Sequence, residues 1–69
     1  MKLIKYKYIY HGKEKHTTKR ILFEDNGKFI SFSGDEIENI DLNELIIGRE
    51  YSILFSNFDK NKVISFKED

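Results

Sequence analysis

The chain has no cysteine, no proline, no alanine and no tryptophan. Without cysteine, disulfides and thiolate zinc sites are both excluded, so no staple assists folding. Without proline, no candidate strand is demoted to an edge or broken on that account. Without alanine, the strongest helix former is missing. No uninterrupted apolar run exceeds three residues, Leu45–Ile47 and Ile53–Phe55 being among them, far below the ~20 residues of a membrane-spanning helix. The opening "MKLIKYKYIY" fails as a secretory leader, because Lys5 and Lys7 interrupt its apolar stretch. The expectation is a soluble, cytoplasmic protein with no membrane partner.

The 69 residues are enough for one domain, 1–69. A chain of this size buries only roughly 60% of its unfolded surface, so few apolar residues are spare. Those present are ten Ile, five Leu, six Phe, four Tyr and one Val, a β-branched and aromatic set that favours strands. Abundant Lys, Ile and Asn beside two Arg and no Ala or Pro is a bias that AT-rich coding produces. It suggests a low-GC bacterium, or a phage or mobile element living in one. Net charge is zero, but residues 1–20 carry seven basic side chains and one acidic, a net of +6, and residues 21–69 a net of −6. Overall charge gives no pull towards nucleic acid, while the asymmetry leaves room for a basic face.

The turns fix a register. Asn26-Gly27 signals a two-residue type I′ hairpin, pairing Asp25 with Lys28, Phe23 with Ile30 and Ile21 with Phe32. A turn centred on Lys13-Glu14 pairs His11 with His16, Tyr8 with Lys19, Tyr6 with Ile21 and Ile4 with Phe23. The resulting three-strand meander has Ile4, Tyr6, Ile21, Phe23, Ile30 and Phe32 on one side. Lys5, Lys7, Arg20, Glu24, Ser31 and Ser33 lie on the other, with Leu3, Ile9, Leu22 and Phe29 among them. Further on, a turn centred on Asp59-Lys60 brings Phe55 opposite Ile64 and Ile53 opposite Phe66.

Between these units, Asp41 followed by Glu44 has capping-box spacing, Leu42, Leu45 and Ile46 share a helical face, and Gly48 suits the end. This predicts a short helix over about 41–47. The order is then strand, strand, strand, short helix, strand, strand. Closing such short strands into a barrel removes exposed edges. The expected fold is all-β, a small five-stranded antiparallel barrel with OB-like order and an SH3-like barrel as the alternative. Such an architecture does not by itself give a function.

Catalysis finds little support. His11 and His16 flank a hairpin tip where nothing excludes water, and each glycine is explained by a turn or cap, leaving no phosphate loop. His11, His16 and Glu14 are the one metal candidate, but two lysines in the same loop oppose a dication, and no metal or cofactor is expected. The basic surface carries more. Lys7 lies directly opposite Arg20, with Lys5 one position along, and like charges in that arrangement call for a counter-charge. One source is internal, the acidic run Asp35, Glu36, Glu38, Asp41 and Glu44; the other is a partner.

Two partners fit. A protein would use Leu3, Leu22 and Phe29 as apolar contacts with Lys5, Lys7 and Arg20 around them. The acidic segment 35–50 offers a second surface, and a homodimer through the apolar patch is the symmetric version. Single-stranded nucleic acid would stack on Phe29 and Phe58, its backbone tracked by Arg20, Lys13, Lys15, Lys60 and Lys62. The expected function is a non-catalytic protein-binding module, an accessory protein that inhibits a host system, with single-strand binding as the alternative. The candidate contact residues are Lys5, Lys7, Arg20, Leu22, Phe29 and Phe58.

Overall fold

The computed structural model describes residues 1–59 and 62–69. Five strands follow in order: β1 (Lys2–His11), β2 (His16–Asp25), β3 (Lys28–Ser33), β4 (Tyr51–Phe55) and β5 (Val63–Glu68). They make two antiparallel sheets, β1-β2-β3 and β4-β5. The Asn26-Gly27 turn forms as expected, both residues having positive φ, 52° and 83°. This is the left-handed backbone a type I′ turn requires and a glycine adopts without strain. The register follows from it: Asp25 pairs with Lys28, Phe23 with Ile30 and Ile21 with Phe32.

The first hairpin also pairs as expected at its far end, with His11 opposite His16, Tyr8 opposite Lys19 and Tyr6 opposite Ile21. Near its base it departs from the expected alternation. A bulge between Leu3 and Lys5 sets Leu3, not Ile4, against Phe23. Leu3 is therefore wholly buried, and it leaves the outer face to which the alternation assigned it. A distant segment causes the change. The Leu3 N–H donates to Arg49 O at 2.9 Å and the Gly48 N–H donates to Leu3 O at 2.8 Å. A single bridge, Lys2 to Glu50, continues this contact and brings the start of β4 beside β1.

A second bulge corrects the other hairpin. Ile53 pairs with Phe66 as expected, but Phe55 lies opposite Val63 rather than Ile64. Val63 is buried and Ile64 is 52% exposed. The turn centre expected at Asp59-Lys60 includes Lys60, which lies outside the described residues.

No α-helix forms over 41–47. In its place is one 3₁₀ turn, Leu42–Glu44, preceded by another at Gly34–Ile37. Asp41 does cap, accepting the Asn43 N–H at 3.0 Å, but Leu45 is already extended. So short a helix would gain few internal hydrogen bonds, and β-branched Ile46 and Ile47 add no propensity. Pairings outside the segment win: Ile46 N–H donates to the nearby Tyr51 hydroxyl at 2.9 Å, and Gly48 pairs with distant Leu3 while holding φ at 92°. The stretch from the first turn to the second, 34–44, lays Ile37, Ile40 and Leu42 into the core. There they join Leu3, Ile21 and Phe23, with Phe66 half-buried against them. Phe66 and Phe32 carry the contact between sheets, the Phe66 ring lying 5.0 Å from Phe23 and 6.0 Å from Phe32. No described helix is long and apolar enough to cross a membrane.

Candidate functional site: the outer face of the three-stranded sheet

The pleat sorts β1 and β2 by parity. Odd-numbered positions of β2 from Lys19 to Phe23 turn inward, where Ile21 and Phe23 are buried. The even positions Thr18, Arg20, Leu22 and Glu24 turn outward. Cross-strand pairing arranges the outer face in rows: Lys7–Arg20–Ser33, then Lys5–Leu22–Ser31, then Glu24–Phe29. Lys5, Lys7 and Arg20 are exposed, Leu22 is half-buried, and Phe29 is 67% exposed at the start of β3. Five of the six expected contact residues therefore share one face.

Phe58 is not among them. It sits in the loop after β4, fully exposed, with its N–H donating to Ser56 Oγ at 3.2 Å. Ser56 and Lys62 adjoin Asp35 and Glu38, which follow the end of β3. Phe29 stands at the beginning of that strand. The two aromatics thus lie towards opposite ends of β3 and do not form one stacking platform.

The acidic run does not neutralise the basic row. Among the described residues, no carboxylate lies within ion-pairing distance of Lys5, Lys7 or Arg20; the pairs present are the Met1 amine with Glu50, His16 with Glu14, and Arg49 with Glu68. The reason is topological. Lys19, on the inward side of β2, donates its ammonium to the backbone carbonyls of Glu38, at 3.0 Å, and Ile40. Ile37, Ile40 and Leu42 anchor the same segment beneath the sheet. The acidic run is consequently held on the core side while the basic row faces away. Sequence reasoning missed Lys19 as the tether; its position in phase with Ile21 and Phe23 was the available signal.

Beyond Arg20, β2 has no third strand beside it, so β1 and β2 continue as a two-stranded arm. Tyr8 and Tyr10 share the inward phase of Tyr6 but reach past the core, and are 40% and 68% exposed. The arm ends on a four-residue turn, 12–15, with Lys15 held at φ 52°. His11 and His16 stack across its base, ring centroids 4.6 Å apart and planes 22° apart. His11 Nε2 meets Thr18 Oγ1 at 2.8 Å and His16 Nδ1 meets Glu14 at 3.1 Å. In stacked rings the in-plane lone pairs run side by side instead of converging. Among the described residues no group of three or more ligating side chains is arranged to hold a metal ion.

No protein-family model, curated protein or solved structure matches the chain.

Proposed function

We propose that this chain is a non-catalytic binding module that engages an acidic protein surface through the outer face of β1-β2-β3. The observation that carries the reading is the Lys7–Arg20 pair: two cations directly opposed, solvent-exposed, and without an ion-pair partner among the described residues. Like charges placed so are destabilising by some tenths of a kcal/mol, an expense that an anionic partner removes. Leu22 beside them and Phe29 below supply apolar contact with a charged rim, the composition that protein interfaces favour.

Protein is favoured over single-stranded nucleic acid because Phe29 and Phe58 are separated and the chain's net charge is zero. The non-catalytic reading rests on the hairpin-end position of both histidines, His16 exposed and His11 half-buried against Thr18. An OB-like barrel is the architecture we favour, since the Lys2–Glu50 bridge sets β4 beside β1. The composition suits a cytoplasmic accessory protein of a phage or mobile element, acting on a host component.

The test is capture of partners from bacterial lysate, with and without nuclease, by the protein and by a Lys7→Glu/Arg20→Glu variant. A nuclease-resistant protein partner lost on the double substitution is the expected result. A direct oligonucleotide titration against salt provides the contrary outcome: steeply salt-dependent binding, lost in Phe29→Ala, makes the chain a nucleic-acid binder.

A further inference from the structure

The outer face of β1-β2-β3 has a shape as well as a charge. β2 is the middle strand, and from Arg20 to Glu24 it is paired on both sides, to β1 and to β3. Its backbone groups there are engaged in the two ladders, so a ligand on this face meets side chains alone. Three strands about 4.8 Å apart make a surface about 10 Å across, the width of one α-helix. From Arg20 to Glu24 the strand runs about 14 Å, the rise of about nine helical residues. Charge is graded over that length. Lys7 and Arg20 form one end, Lys5 and Leu22 the middle, and Glu24 and Phe29 the other, where Lys2 stands opposite Glu24. Within these rows the apolar contact is one residue wide, Leu22 and then Phe29, with Ser31 and Ser33 beside it on β3.

We propose that the partner lays a single acidic amphipathic helix along β2, its carboxylates over Lys5, Lys7 and Arg20 and its apolar residues over Leu22 and Phe29. The inference rests on the acidic-partner reading above and names the element that binds. A partner strand takes its main hold from backbone bonds at a sheet edge, and this surface offers none. A helix satisfies its own backbone internally and presents side chains three and four positions apart on one face. A second sheet packs through apolar side chains from several strands, whereas the apolar strip here is narrow and bordered by cations and serines. One helix fits the strip, the width and the length together. Glu24 repels a carboxylate placed beside Phe29, so the grading of charge also sets which way the helix runs.

The partner captured from lysate supplies the test. Hydrogen exchange of that partner, free and bound, identifies the segment that this face protects, and the segment is then synthesised as a peptide. Circular dichroism is expected to show helix gained when the peptide is mixed with the protein, and a central proline should weaken binding about tenfold or more. Replacing the peptide's Asp and Glu by Asn and Gln should weaken it similarly. A benzophenone side chain placed at Ser31 and, separately, at Ser33 measures the spacing directly. The two positions are about 7 Å apart, so they should mark partner residues about four or five apart on a helix, against about two apart on an extended chain. Circular dichroism of each labelled protein establishes that it is folded. Binding that survives the proline, or cross-links about two residues apart, overturns the helix and leaves the acidic-partner reading standing. Failure to capture any protein, or capture undiminished by Lys7→Glu/Arg20→Glu, overturns both.

Discussion

Leu3 and Ile4 are adjacent, both apolar, and energetically far from equivalent. Only Leu3 is wholly enclosed, packed in the core with Phe23 opposite it. Leu3→Ala should destabilise the fold by about 2–5 kcal/mol, the range for a buried large-to-small change, and Ile4→Ala by less than half as much. Chemical denaturation of the two variants measures the difference, and equal losses would mean that the bulge is absent. Lys15 makes an opposite case. Its φ of 52° belongs to the left-handed region, which is unfavourable by roughly 1–2 kcal/mol for a residue with a Cβ. Lys15→Gly should raise the denaturation midpoint, the gain reduced to about 1 kcal/mol or less by the entropy glycine loses on folding. These residues also mark where sequence reading loses resolution. Wherever two apolar residues adjoin, as at Leu3-Ile4 or Val63-Ile64, either can face the core, and period-two patterning cannot choose. A contact with Gly48 and Arg49, more than forty positions away, chooses for the first pair.

Among the elements, those defined by a local turn were legible and those defined by long-range pairing were not. Asn26-Gly27 dictates the β2–β3 register because the turn's backbone and the inward apolar residues agree. Gly27→Ala opposes that backbone directly; nothing crowds the new Cβ, so the expected loss of about 1–2 kcal/mol is conformational. Thermal unfolding followed by circular dichroism reads it. The segment 41–47 shows the converse. Its capping residue was identified correctly from sequence, and the helix it was to start gives way to backbone pairing with β1. The overlapping acidic run, Asp35 to Glu44, was legible as a source of negative charge but not as lying on the core side. Its position depends on Lys19, which satisfies two carbonyls at once. Lys19→Met keeps the aliphatic stem and removes the donors. It should cost about 1–3 kcal/mol and speed amide exchange at 37–42 relative to the rest of the chain.

At the scale of the whole molecule, two small sheets share one core, and aromatic contacts with Phe66 hold them face to face. Its ring touches both Phe23 and Phe32. Phe66→Ala should cost about 3–5 kcal/mol, a large share of what a chain of this length can possess, and shift the fold towards unfolded at ambient temperature. Phe66→Leu, by keeping most of the volume, should stay folded, and heteronuclear NMR spectra distinguish the two states. The candidate binding face was legible at this scale, since alternation alone places Lys5, Lys7, Arg20, Leu22 and Phe29 together. Phe58 lies apart from that face, in the loop after β4, because sequence order gives no measure of which end of β3 a distant loop approaches.

The arm formed by β1 and β2 beyond Arg20 carries a consequence for using the protein as a tool. Its tip, 12–15, is solvent-exposed and holds none of the buried core residues. Insertions are tolerated where the affected backbone is neither buried nor woven into long-range hydrogen bonds. The bond between Lys13 and Glu14 is thus the natural site for an internal affinity epitope or a fluorescent reporter, carried clear of the sheet without disturbing the pairing below it.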